Sequence, residues 1–171
     1  MSARSAPAAL AVLVVLASQA SHASTVSVPP WKSTYQHKGP FEACQMITKM
    51  SNGGAFDLVA GGGNFRLMIL DPAETFTRQS PEVMVNAAVD KFPPFTMSAK
   101  AFGPHLLDAH PVDPKLALEL ILLGRQAVID FGPHQWRIDL VDSGNSKGTF
   151  FHCVNHLSPP IAPPKTTGAA P

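Results

Sequence analysis

Residues 56–70 read FDLVAGGGNFRLMIL. Phe56-Asp57-Leu58-Val59 is short and β-like, and Phe65–Leu70 is an apolar run of strand length. Between them Gly61-Gly62-Gly63-Asn64 supplies the residues that tolerate the backbone of a tight hairpin turn. A helix needs an apolar period near 3.6, and three consecutive glycines would break it. The stretch therefore sets a β framework. The same glycines do not make a phosphate loop, because the Lys and Ser/Thr of that motif do not follow and no helix pattern opens after Asn64.

The period of two extends outward in both directions. Ala43–Met50 is a strand that ends at the turn Ser51-Asn52-Gly53-Gly54. Glu82–Asp90 and Phe95–Phe102 are two more, separated by prolines. At Asp113-Pro114 the pattern changes. Asp113 is a good N-cap and Pro114 a good first helical residue, so Lys115–Leu123 is expected to be helical and Gly124 to stop it. Ala127–Phe131 and Gln135–Val141 read as strands around Gly132-Pro133. Ser143–Ser146 is polar and able to cap a final helix, Lys147–Leu157. The order of elements implies an α+β domain, a mostly antiparallel β-sheet or small β-sandwich with two helices packed on it.

The ends read differently. Residues 1–23 have one charge, Arg4, then the apolar run Ala8–Ala17, then Ser21-His22-Ala23. That is the layout of a secretory signal peptide cut after Ala23, and the run falls short of the roughly 20 residues that span a bilayer. Residues 24–40 carry three prolines and few aliphatics and read as an extended N-terminal segment in which Trp31 is exposed. Residues 158–171 carry five prolines with small residues, a composition of disordered tails. The single domain is thus expected over residues 41–157.

Export gives the cysteines their meaning. Cys44 and Cys153 are the only two in the 171 residues. In an oxidising compartment they have one intramolecular pairing open to them. It would staple the first domain strand to the last helix. No C-x-x-C is present, so a thioredoxin-like role has no basis.

Charge excludes further classes. The chain has 13 Lys+Arg and 12 Asp+Glu. Loss of Arg4 with the leader leaves twelve of each. There is no basic surplus for nucleic acid, and no polybasic stretch for anionic lipid. No membrane insertion is expected once the leader is removed.

Four features together resemble small uncharacterised secreted or periplasmic β-rich proteins of proteobacteria, near the invasion-associated locus B group. They are Phe41-Glu42-Ala43-Cys44, the strand Val83–Val89 closing on Asp90, the helix end Leu120–Gly124 followed by Ala127–Phe131, and Ile138-Asp139-Leu140 followed by a polar turn and a helix holding Cys153. The tryptophan usual before the first cysteine of that group is absent. The resemblance implies an envelope or secreted accessory protein and carries over no catalytic residue.

Three segments invite chemical readings. His105, Asp108 and His110 lie in a proline-flanked polar stretch that runs to Asp113 and could hold a divalent metal. His152 and His156, four apart on a helix, share a face. The zincin motif would need a glutamate beside His152, and Cys153 stands there. No G-x-S-x-G elbow supports a serine triad. The sequence thus points to a periplasmic or secreted non-enzymatic accessory domain, without cofactor, that binds a protein or a cell-envelope component. The alternative is a small metal-dependent or hydrolytic enzyme using the His105/Asp108/His110 loop.

Overall fold

A computed structural model of the chain describes residues 24–38, 41–76, 82–132, 134–141, 145–157 and 161. The expectations for the leader, and for the tail apart from Ile161, lie outside these residues. The strands are β1 (Ser24–Lys38), β2 (Phe41–Met50), β3 (Ala55–Gly61), β4 (Asn64–Leu70), β5 (Val83–Val89), β6 (Phe95–Gly103), β7 (Leu106–Pro111), β8 (Gln126–Phe131) and β9 (His134–Asp139). Helix α1 (Pro114–Leu123) joins β7 to β8, and α2 (Ser146–Asn155) follows β9.

The strands form one closed barrel in the order β1-β2-β3-β4-β7-β6-β5-β8-β9. Neighbours are antiparallel except β1 and β9, which run parallel over Ser24–Val26 and Gln135–Arg137. This corrects the expected open sheet or sandwich. Two segments account for the difference. The extended segment at residues 24–40 holds β1, paired to β2 along its length and to β9 at its start. The polar stretch before Asp113 is β7, paired to β4 and β6. Without β1 and β7, the remaining strands fall into two sheets, β2-β3-β4 and β6-β5-β8-β9.

Trp31 is correspondingly buried at 3 % exposure rather than exposed, and its Nε1 donates to the Asp139 carbonyl at 2.9 Å. Pro29 and Pro30 fall where the β1–β2 register shifts, between Val28 and Lys32. A proline lacks the ladder N–H, and a bulge is one of the few places a strand accommodates it.

Alternation sets the inside. Met46, Phe56, Leu58, Phe65, Leu67, Ile69, Met97, Ile129 and Trp136 are fully buried, each on the inward side of its strand. A barrel of about this size has an interior that side chains fill, and here large aliphatic and aromatic groups fill it. Both helices lie at the end of the barrel where β7 and β9 finish. Ala117, Leu118, Leu120 and Ile121 of α1 and Phe150 and Val154 of α2 join the same core. Lys147 of α2 donates to the Leu122 and Gly124 carbonyls at the end of α1.

Local chemistry explains the helix limits. The Asp113 carboxylate accepts from Leu116 N at 3.0 Å and Pro114 opens α1, as the sequence implies. The helix stops at Gly124 as the sequence implies, and two features of that glycine stand out. Its φ is −76°, not left-handed, but a Cβ there would lie 2.1 Å from Val89 Cγ1. At α2 the N-cap is Asn145 in a left-handed conformation, with no side-chain capping bond among the described residues.

The disulfide forms as the sequence implies. Cys44 on β2 bonds Cys153 on α2, with 5.9 Å between Cα atoms and 109 residues of separation. Among the described residues, no helix is long and apolar enough to cross a membrane.

Candidate functional site

With the barrel interior filled, chemistry has to be sought at its ends and on its walls. The end opposite the helices is a rim built from the β2–β3 turn, the strap Asp71–Phe76 that follows β4, the β6–β7 turn and the tip of the β8–β9 hairpin. The strap is laced to the β6–β7 turn: Asp71 N donates to His105 O at 2.9 Å, and Phe76 N donates to Pro104 O at 2.7 Å. Asp71 is buried at 1 % exposure. Its carboxylate accepts from Trp136 Nε1 at 2.8 Å, Asn52 Nδ2 at 2.5 Å and Ala73 N at 3.0 Å. Phe76 closes the rim from above, edge-on to Phe131 and His134 and tilted against Trp136.

Glu74 holds two imidazoles. Its backbone carbonyl lies 2.6 Å from His105 Nδ1, and its carboxylate lies 2.9 Å from His134 Nδ1. A carbonyl oxygen can only accept, so His105 carries its proton on Nδ1. The rim therefore gathers His105 and His134, but not His110. His105 stands in the turn before β7 and His110 near the far end of that strand, roughly 16 Å away at the usual rise per residue. The metal or hydrolytic set His105/Asp108/His110 is not assembled: strand geometry, replacing the expected loop, separates its first member from the other two. Among the described residues, no three His, Cys, Asp or Glu side chains are grouped as a metal site.

The rim also presents apolar surface outward. β6 carries a bulge: Ala101 pairs with Leu107 and Gly103 with Leu106, which leaves Phe102 as the extra residue. Bulges often re-aim a side chain, and Phe102 is 71 % exposed. With Phe76, Gly103 and Pro104 it lines an open depression of about 400 Å³. Registers place Ala55, Leu70 and Leu106 side by side on β3, β4 and β7, leading to the bulge. The result is an apolar row across four strands.

Asp108 and His110 belong to a second cluster, on the outer wall. Asp108 Oδ2 lies 3.5 Å from Arg66 Nη1 and 3.3 Å from His110 Nε2. Asp57, two strands away, accepts from Gln45 Nε2 at 2.5 Å. Among the described residues, the Oδ1 atoms of Asp57 and Asp108 are buried without a hydrogen-bond partner. Arg66 pairs with Asp108 and acts on Asp57 through its charge. Burial pushes Asp57 up to about 6, against the lowering effects of Gln45 and Arg66. The hydrogen bond to Asp108 raises His110, with desolvation opposing it.

Both shifts have the same consequence for stability. The native state holds the Asp57 proton more tightly than the unfolded chain, whose ordinary value is 3.8. Stability from this group is therefore highest below about pH 4 and falls as pH rises through 6. The contribution of His110 is likewise complete in acid and lost as pH rises through its raised value. We expect Asp57→Asn to stabilise the protein at pH 8 by about 1–2 kcal/mol, a figure discounted for partial solvent screening. It should also flatten the stability profile between pH 4 and 6. Urea denaturation across pH 4–8 measures this, and an unchanged or steeper profile would show that Asp57 titrates normally.

A third cluster sits on α2, where His152 and His156 lie beside Cys153 with ring centroids 4.4 Å apart and planes tilted by 52°. No protein-family model, curated protein or solved structure matches this chain.

Proposed function

We propose that the chain is an exported, non-enzymatic accessory domain that holds a protein of the cell envelope against the rim of its barrel. The observation that carries this reading is Phe102, displayed by a bulge at 71 % exposure at the end of the row Ala55–Leu70–Leu106. An exposed apolar patch of this kind marks an interaction surface. A large aromatic anchor with polar groups around it has the anatomy of a protein-binding hot spot, and Glu74, His105 and His134 supply those polar groups. The Asp71 and Glu74 contacts hold the rim rigid before a partner arrives, which lowers the ordering cost of binding. Export is supported by the disulfide, which persists in oxidising compartments.

With twelve charges of each sign beyond the leader, electrostatic steering is weak, and association should depend little on salt. The test is a crosslinking pull-down from envelope extract with wild type, Phe102→Ala and Leu123→Ala. Leu123 is equally exposed but lies on α1 at the other end. A partner recovered with wild type and Leu123→Ala, and lost with Phe102→Ala, supports the rim. A partner that survives Phe102→Ala, or none above background with wild type, overturns it.

A further inference from the structure

Helix α2 carries a feature unrelated to the rim. His152 and His156 are four residues apart and so share one helix face. Their ring centroids are 4.4 Å apart with the planes tilted by 52°, close enough for one nitrogen of each to meet at a single ion. The pair is also oriented. His156 Nδ1 lies 2.7 Å from the His152 carbonyl. The carbonyl can only accept, so Nδ1 donates and Nε2 keeps its lone pair free. A backbone carbonyl on the far nitrogen is the usual support of a metal-binding histidine.

The surroundings fit a cation. The two imidazoles line an open depression of about 340 Å³ together with Glu42, Tyr35 and Thr149. Glu42 is anionic, and its Oε1 already takes the Tyr35 hydroxyl at 2.9 Å and faces His37 Nδ1 at 3.4 Å. The carboxylate is thereby held at the edge of the depression. Cys153 lies between the two histidines in sequence, and its disulfide to Cys44 ties this turn of α2 to β2, two residues from Glu42. The bond keeps this turn of α2 beside the strand that carries that carboxylate.

We propose that His152 and His156 form a two-imidazole site for a divalent transition-metal ion, with Glu42 supplying negative charge beside it and water filling the remaining positions. Imidazole suits copper, nickel and zinc, and the general order of affinity puts Cu(II) ahead of Zn(II). The site is independent of the rim, at the opposite end of the barrel. A failure of either proposal leaves the other standing.

The test uses the untagged, oxidised chain from residue 24 onward, titrated with Cu(II) or Zn(II) alone. One equivalent should bind saturably, copper more tightly than zinc. His152→Ala and His156→Ala should each weaken binding at least tenfold, about the loss that follows from disturbing a ligand's support alone. His105→Ala and His110→Ala should bind as wild type does. Electron paramagnetic resonance of the copper form should show coupling to two imidazole nitrogens. Both histidines are exposed, so the variants are expected to stay folded, and His152→Gln and His156→Gln keep the side-chain bulk if they do not. Absence of saturable uptake by wild type, or a copper spectrum unchanged in the double variant, overturns the site.

Discussion

Replacing Asp71 by alanine is expected to remove about 3–5 kcal/mol of stability, because three donors lose the acceptor they share. The carboxylate is fully enclosed and receives an indole N–H, a side-chain amide and a backbone N–H from Trp136, Asn52 and Ala73. Each donor left unpaired in the interior costs about 1–3 kcal/mol. Asp71→Asn should do almost as much harm. It places an NH2 group where one oxygen accepted, against either the indole or the Asn52 amide. Trp136→Phe would cost less on the polar side, since it leaves one oxygen short of one donor. Urea denaturation of the oxidised protein measures all three. A domain of this size has a total of roughly 5–15 kcal/mol, so a loss under 1 kcal/mol for Asp71→Ala would mean that the rim is not locked in this way.

Asp71 also shows what a sequence conceals. In the linear chain it is only the residue of an Asp-Pro break after an apolar run. Its three donors come from 2, 19 and 65 residues away, and no local pattern encodes the distant pairs. Glu74 is hidden for the same reason. Other features were present as parity. Along β6, Phe95, Met97, Ala99 and Ala101 face inward, so alternation assigns Phe102 to the outer side, where a phenylalanine is out of place, and the bulge that displays it there is not written in the sequence. Asp108 and His110, two apart, share the outer face of β7. His105 cannot share in that geometry, because it precedes the strand.

The same physics explains why the sequence implies an open sheet or small sandwich where the chain forms a closed barrel. Most of β2 to β6, β8, β9 and α1 declare themselves through alternation, turns or caps. β1 has two prolines at its bulge and an inward face that includes Ser27 and Trp31 rather than aliphatics. β7 has six residues, places Asp and His on its outer face and ends in proline. Each looks like a connection by propensity. Each is held by pairing on both sides, which is tertiary context outweighing local preference. They are also the two strands that join the separate sheets, so overlooking them removes closure and nothing else.

Reducing the disulfide, or replacing Cys44 and Cys153 together by alanine, is expected to cost about 4–5 kcal/mol. In the chain-entropy account, releasing a loop of roughly 100 residues costs this much by freeing the unfolded chain, and the cysteines are 109 apart. The native barrel should survive, because the strands are paired independently of the staple. What loosens is α2, whose Phe150 and Val154 cover the helix end of the barrel beside Cys153. Three observables separate these effects. The denaturation midpoint should fall. The dependence on denaturant should steepen, since an uncrosslinked unfolded chain exposes more surface. Amide exchange should accelerate in α2 before it does in β3 or β4. If the staple acted only on the unfolded state, α2 would exchange no faster than the rest. A uniform rise in exchange across the barrel would show that Cys44–Cys153 stabilises by chain entropy alone, and that the helix end is sealed by its apolar contacts without it.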